Sequence, residues 1–463
     1  MAGLLNFIST LLIFVVANSL TITAVGSYHG GDRSPQMAIK GGYWPSPNDF
    51  PPSAINTSLF THIFYAFLAP NDVTFKFQIS NSTAVSLSNF TSTLRYANPP
   101  AKSLFSVGGA GASTDFALMA SQASSRKVFI QSSIEVARKF GFDGVDLDWE
   151  SPESPKEMMD FGLLLKEWRW AVTKEAQLTS RPPLLLTAAV YFSAQFFLSE
   201  VNHSFPVPAM RESLDWINVM CYDYHGAWSN ITGPNSALFD PTSDINTIYG
   251  LNSWIRAGMP TEKMVMGLPL YGRTWKLEGP NLSKMGTIAV GPGPVDGALN
   301  FKLVTEMIEQ EGATVVYDVD TVTVYSVVNS TWITFDDALT ITTKIGFAQA
   351  LGLRGYFFWA LSFDKDDQIS TQGTSIITYF ITNLKVMGPL TSENKDNYCC
   401  IWSAADEGKV NKQSVETKQP GIVSAVKVLV LAYAWRGQKG RGVMAWRASE
   451  AQSVARVQML FKR

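Results

Sequence analysis

Eight short apolar runs recur along this chain at intervals long enough to hold a helix: Ile39 to Tyr43, His62 to Leu68, Ser103 to Val107, Gly144 to Glu150, Leu184 to Val190, Trp216 to Tyr222, Val265 to Leu270 and Gly355 to Trp359. Runs this short and this continuous read as strands covered on both faces, the pattern of a parallel sheet built from strand-helix units. Helical spacers are predicted over Ser125 to Phe140, Lys156 to Gln177, Ile245 to Ala257 and Asp337 to Leu351, the last stopped by Gly352. Eight such units close on themselves, so the expected fold class is α/β, a TIM (β/α)8 barrel, and 463 residues lie within the range barrels reach with insertions.

Between the seventh and eighth runs the chain spends roughly eighty residues, far more than one loop and helix require. Trp275, the Gly/Pro-rich Gly291 to Gly297, a helical Phe301 to Glu311, and alternating Thr314 to Val327 followed by Trp332 predict a small α+β insertion over about 273–337 that walls one side of the cleft. Asn383 marks a change of character. Ser403 to Arg463 carry eleven Lys/Arg against four Asp/Glu. Residues 384–463 are therefore read as a basic, weakly ordered tail, with membrane-proximal attachment as the functional alternative; its apolar Gly421 to Trp435 is interrupted by Lys427 and short for a span.

The fourth run places Asp143, Asp146, Asp148 and Glu150 among Val145, Leu147 and Trp149. Side chains alternate across a strand, so Asp146, Asp148 and Glu150 share one face. Burial disfavours each charge and each charge disfavours its neighbours, so at least one acid stays protonated near neutral pH. That is the raw material of general acid catalysis, and glycoside hydrolysis is the reaction class that most often runs on carboxylates alone. A solvated acidic face would not interleave apolar residues at period two; a Mg²⁺ or Ca²⁺ site is the rival reading, because oxygens at i, i+2 and i+4 could converge on a hard cation. Catalytic groups of a parallel barrel collect at the carboxyl ends of its strands, so Glu150 should project into the cleft, Asp148 lie deeper and Asp146 deeper still, with Asp143 structural. Aromatic residues at strand ends offer flat apolar faces that suit sugar rings.

These residues also carry a resemblance. Asp143-x-x-Asp146-x-Asp148-x-Glu150 resembles the signature of the family 18 glycoside hydrolases, in particular the plant class V chitinases. Ser106-Val107-Gly108-Gly109, Met220-Cys221-Tyr222-Asp223, Gly267 to Arg273 and Gly355 to Ala360 resemble further family blocks, in family order, across about Ile39 to Phe380. The resemblance implies cleavage of β-1,4-linked N-acetylglucosamine polymers with the substrate's own acetamido group as nucleophile. It implies Glu150 as acid and then base, Asp148 orienting the acetamido N–H, Asp146 sharing a proton with Asp148, and Tyr222 donating to the acetamido oxygen. Trp359 is implied as the floor under the reacting sugar, with Tyr43, Phe67, Met220, Tyr271 and Arg273 as lining residues and Asp223 as a polar contact. Trp228 and Trp275 could serve outer subsites. Ser151, where the family commonly has Tyr, and Asp367, where related plant sequences often have Trp, are departures that leave every catalytic group in place. The same fold also carries chitin-oligosaccharide-binding lectins and receptor ectodomains, but such binders usually lose the acid at the position of Glu150.

Composition narrows the setting. A net charge of −2 with 16% charged residues gives no support to a nucleic-acid partner. Apolar Leu4 to Val16 followed by small residues through Ser27 reads as a signal peptide over 1–26, and sequons at Asn56, Asn81, Asn89, Asn202, Asn230, Asn281 and Asn329 agree with a secreted, extracellular protein. Three cysteines, Cys221, Cys399 and Cys400, cannot staple the main domain, and Cys221 reads as a buried small hydrophobe. The expected partners are chitin oligosaccharides, with no metal or cofactor and a monomeric state; chitin catabolism, in a defence-type setting, is the implied role.

Overall fold

The computed structural model describes residues 39–372 apart from 47–48, 111–112, 198–200, 202 and 280–283. The predicted signal peptide, the tail with Cys399 and Cys400, and the sequons at Asn202 and Asn281 lie outside the described residues. Seven strands lead the barrel: β1 (Ile39–Trp44), β2 (His62–Leu68), β3 (Lys102–Gly108), β4 (Gly144–Asp148), β5 (Leu185–Tyr191), β6 (Trp216–Met220) and β7 (Met264–Pro269). The insertion then supplies β8 (Tyr271–Lys276), β9 (Gly291–Pro292), β10 (Ala298–Asn300), β11 (Val315–Asp318), β12 (Thr323–Val328) and β13 (Thr331–Phe335), before β14 (Gly355–Trp359) closes the barrel. The barrel order is β1-β14-β7-β6-β5-β4-β3-β2, and every pairing within it is parallel.

Two apolar cores follow from this closure. Inside the barrel, Tyr43, Phe64, Leu104, Trp216, Val265 and Phe357 pack together beneath the mouth. Between barrel and helices runs a larger ring, in which Phe105, Leu147, Val219 and Phe358, at the opposite strand parity, meet helix residues such as Leu165. The covering helices are α1 (Asn81–Tyr96), α2 (Ser113–Ser121), α3 (Ala123–Phe140), α4 (Pro155–Thr179), α5 (Val207–Ser213), α6 (Thr247–Arg256), α7 (Phe301–Glu311, in the insertion) and α8 (Ala338–Ala350). Local chemistry sets their ends. Ser154 caps α4 by accepting from the Glu157 amide with Pro155 in the first turn, and Asp337 with Thr340 forms a capping box on α8. After α8, Gly352 takes a positive φ of 73°, as a helix stop requires.

Helices α1, α2 and α5 were not predicted. Helix α1 is rich in Ser, Thr and Asn, poor helix formers, yet it buries Leu87, Phe90, Thr91 and Leu94 at helical spacing, and packing overrides propensity.

The insertion is a sheet of order β10-β8-β13-β12-β11, with β9 on β8, backed by α7. Its core is Trp275 edge-on to Trp332 at 5.4 Å, and Trp275 is wholly buried with its indole N–H donating to the Ser229 carbonyl at 2.9 Å. Trp275 therefore cannot serve an outer subsite. A buried ion pair ties the insertion to the barrel shell: Lys344 of α8 reaches both oxygens of Asp336, just past β13, at 2.6 and 2.7 Å, and donates to the Ser236 carbonyl at 2.6 Å.

Candidate active site

Strand β4 leaves the ladder after Asp148, so Glu150 stands two residues beyond its end at the barrel mouth. Exposure rises along the row, from Asp146 at 0% and Asp148 at 3% to a half-buried Glu150. Asp143, at the exposed other end of the strand, accepts the Ser103 amide at 2.9 Å and is structural. Parallel register sets Ser106 and Thr187 beside Asp146, from β3 and β5. Asp146 then receives Tyr43 Oη at 2.8 Å and Ser106 Oγ at 2.7 Å on Oδ2, and Thr187 Oγ1 at 2.5 Å and Asn218 Nδ2 at 3.3 Å on Oδ1. A carboxylate has about four lone-pair sites. With four donors in place Asp146 has no lone-pair site left for a cation.

The same saturation corrects the proton arrangement. Asp148 is hydrogen-bonded to Glu150 rather than sharing a proton with Asp146, and Asp148 Oδ1 is buried without a partner. Two carboxyl groups can bond only through a proton. Burial, then the charges of Glu150 and Asp146, hold the Asp148 carboxyl well above the usual carboxylate range. Burial and then Asp223 raise Glu150, while its bond from Asp148 works the other way. Burial also raises Asp146, against the pull of its four donors. Asp148 and Glu150 thus titrate as one pair at the mouth, with Asp146 beneath them.

Across the mouth, Tyr222 and Asp223 follow β6. Tyr222 is buried, edge-on to Tyr271 at 6.1 Å and to Phe357 at 6.3 Å. Asp223, at φ 61°, accepts Tyr271 Oη at 2.5 Å and Arg273 Nη2 and Nε at 2.6 and 2.9 Å, while its amide donates to Asn235 Oδ1 at 3.1 Å. Arg273 also lies over the ring of Trp228 at 4.8 Å, which leaves Trp228 62% exposed at the rim. Trp359 stacks on Phe67 at 5.6 Å and meets Tyr43 edge-on at 5.5 Å. Met220 packs half-buried against this cluster. A cavity of about 330 Å³ opens between this floor and the insertion, lined by Asp223, Tyr271, Arg273 and Trp359 on one side and Val295, Leu299, Asn300 and Leu303 on the other. The insertion does wall the cleft.

Residues 40–364 match the sequence profile of the glycosyl hydrolases family 18. The chain belongs to that family. It is 52% identical over 340 residues to Nod factor hydrolase protein 1 of Medicago truncatula, covering 72% of this chain and 88% of the relative. Among solved structures it resembles the family 18 chitinase of Cycas revoluta in complex with (GlcNAc)3, at 42% identity and a TM-score of 0.71 over 73% of this chain and 99% of the other. A chitinase-like agglutinin from Robinia pseudoacacia is 38% identical with a TM-score of 0.68, covering 73% and 99%. This family 18 protein is accordingly a glycoside hydrolase of the chitinase type.

One lining residue of this hydrolase is placed differently from the sequence reading. Tyr43 was expected to line the cleft; it is 1% exposed and lies beneath the acids as a donor to Asp146. Asp367, one of the two departures from the family pattern, accepts Asn56 Nδ2 at 3.3 Å. Thr187 and Asn218 were missed. Their signal was a polar residue at inward parity in an otherwise apolar strand, visible in Trp216-Ile-Asn218-Val-Met220 once the barrel is assumed.

Proposed function

We propose that this chain is a secreted chitinase that hydrolyses β-1,4-linked N-acetylglucosamine polymers with retention, using the substrate's acetamido carbonyl as nucleophile. The carrying observation is the pair Asp148–Glu150, hydrogen-bonded to each other at the mouth beside a buried Asp148 oxygen that lacks a partner. Glu150 gives its proton to the glycosidic oxygen as the bond to C1 breaks. The acetamido oxygen closes on C1, and Asp148 accepts the acetamido N–H through the orphan oxygen while Tyr222 donates to the carbonyl oxygen. The resulting oxazolinium cation is held over an anionic Asp146–Asp148 pair. Glu150, now a carboxylate, takes a proton from water, which opens the ring from the face the leaving group vacated and restores the β-anomer. The other acid at the mouth, Asp223, is engaged by Arg273 and Tyr271, which argues against a protein nucleophile.

Trp359 is the floor for the reacting sugar, with Phe67 and Met220 beside it, Tyr271 and Arg273 on the far wall, and Trp228 at an outer position. Retention of Glu150 with Asp148 and Tyr222 favours hydrolysis over the lectin or receptor reading. Export rests on Leu4 to Val16 and on sequons whose described asparagines, Asn56, Asn81, Asn89, Asn230 and Asn329, are all exposed. The test is turnover of N-acetylglucosamine oligomers by the purified chain, with Glu150→Gln as control. Oligomer binding without any hydrolysis by the wild type contradicts the enzymatic reading and supports the lectin.

A further inference from the structure

Beneath the carboxylate row lies a hydrogen-bond chain whose direction is fixed at its lower end. The Trp216 indole is 1% exposed and its Nε1 donates to Asn218 Oδ1 at 3.0 Å. An indole N–H can only donate, so it settles which end of the wholly buried Asn218 amide faces down. The NH₂ group therefore points up, toward Tyr43 Oη at 2.9 Å and Asp146 Oδ1 at 3.3 Å. With an amide proton aimed at its oxygen, the Tyr43 hydroxyl turns its own proton on to Asp146 Oδ2 at 2.8 Å. One amide thus supplies a bond to each oxygen of Asp146, one directly and one through Tyr43.

We propose that Asn218, oriented by Trp216, is a positioning residue that keeps Asp146 the deprotonated member of the carboxylate row. Asn218 touches no part of the cleft, so it acts only through Asp146 and Tyr43. Losing its bonds frees one lone-pair position on Asp146 Oδ1 and releases the Tyr43 hydroxyl to turn away from Oδ2, so that a proton can move down to Asp146. This rests on the hydrolytic reading above only for its kinetic consequence; the location of the proton is a property of the protein alone.

Few other groups can intervene. Facing Asp146 are Tyr43 of β1, Ser106 of β3, Asp148 of its own strand, Thr187 of β5 and Asn218 of β6, while β2, β7 and β14 contribute apolar Phe64, Val265 and Phe357. Glu150 and Tyr222 lie farther out, toward the mouth. Below, Trp216 meets His62 edge-on at 5.1 Å and lies under the Arg354 guanidinium at 4.9 Å. Burial, then Lys102 and Arg354, push His62 down to about 3, so it is neutral across the working range.

The test compares the full chain with Trp216→Phe, which removes the indole N–H together with part of the buried ring, and with Asn218→Asp, which replaces the donor by an acid. Carboxyl ¹³C NMR of protein labelled at aspartate, with Asp146 assigned through Asp146→Asn, reads the proton directly and requires no activity. Asp146 is expected to titrate higher in Asn218→Asp by about one pH unit or more, and in Trp216→Phe by a smaller step in the same direction, the scale of a weakened charge-assisted hydrogen bond. The acid limb of kcat should move up with it, because the mechanism needs Asp146 ionised, while KM stays within twofold. If Asn218→Asp does not fold, Trp216→Phe decides. An Asp146 titration unmoved in Trp216→Phe overturns the proposal, as does a fall in kcat with an unshifted pH profile. A wild type with no hydrolysis sinks the hydrolytic reading but leaves the NMR result to stand or fall by itself.

Discussion

Asp146 in the barrel is fully buried and takes donors from four different strands, whereas Val295 in the insertion, 68% exposed, faces an open cavity with no polar partner. Both belong to the same cleft. Parallel strands fix every neighbour of a side chain through register, so the barrel can hold several acids within contact of one another and control where a proton rests. The small antiparallel sheet lies to one side and presents apolar surface that can adapt to sugar rings. The difference assigns proton chemistry to the barrel's carboxylate row and a share of substrate affinity to the insertion wall, and substitutions in the row and in the wall should separate along that line: kcat for the first, KM for the second.

The largest effect is expected at Glu150. Glu150→Gln keeps shape and loses the proton, so turnover should fall by roughly a thousandfold or more while oligomer affinity, measured by calorimetry, stays within twofold. More than a tenth of wild-type turnover would remove Glu150 from the acid role. Asp148→Asn should be nearly as damaging, and the double variant should lose less than the product of the two single losses, since both act on one transition state.

Next is the joint between the two regions. Lys344→Met strands Asp336 as a buried, unpaired charge, and should destabilise the fold by about 3–5 kcal/mol in denaturant titration. Folded Lys344→Met should still turn over; if kcat collapses while stability holds, the division between chemistry and framework is wrong.

A smaller effect carries a definite sign. Asp223 raises the Glu150 carboxyl, second to burial. Asp223→Asn removes that charge, so Glu150 releases its proton at lower pH and the alkaline limb of kcat/KM should shift downward. A shift upward would mean that Asp223 acts on the acid by some other route. Smallest of all, Leu303→Ala trims the insertion wall and should raise KM about threefold to fivefold with kcat unchanged, the value of a partly buried side chain.

All eight barrel strands were legible because each is covered on both faces and therefore apolar almost throughout, and the helix Phe301–Glu311 was read to the residue. Helix α1 was not, since its four buried positions are diluted by Ser and Thr that favour caps over helix interiors. The carboxylate row was legible because acids alternating with apolar residues have few structural explanations. Its partners were not. Asn218 and Thr187 become neighbours of Asp146 only through closure of the barrel, at sequence separations of 72 and 41, and no local pattern encodes that. Trp275 misled for the converse reason: a tryptophan after a strand end looks like a sugar platform until the insertion folds over it.

The most direct measurement follows the first product of cleavage by ¹H NMR during digestion of partly deacetylated chitosan. A nucleophile drawn from the substrate requires that the sugar at each new reducing end carry its acetamido group and be born as the β-anomer. New ends that begin as the α-anomer, or that are deacetylated glucosamine, would contradict the account and point to a carboxylate nucleophile or to water attacking directly.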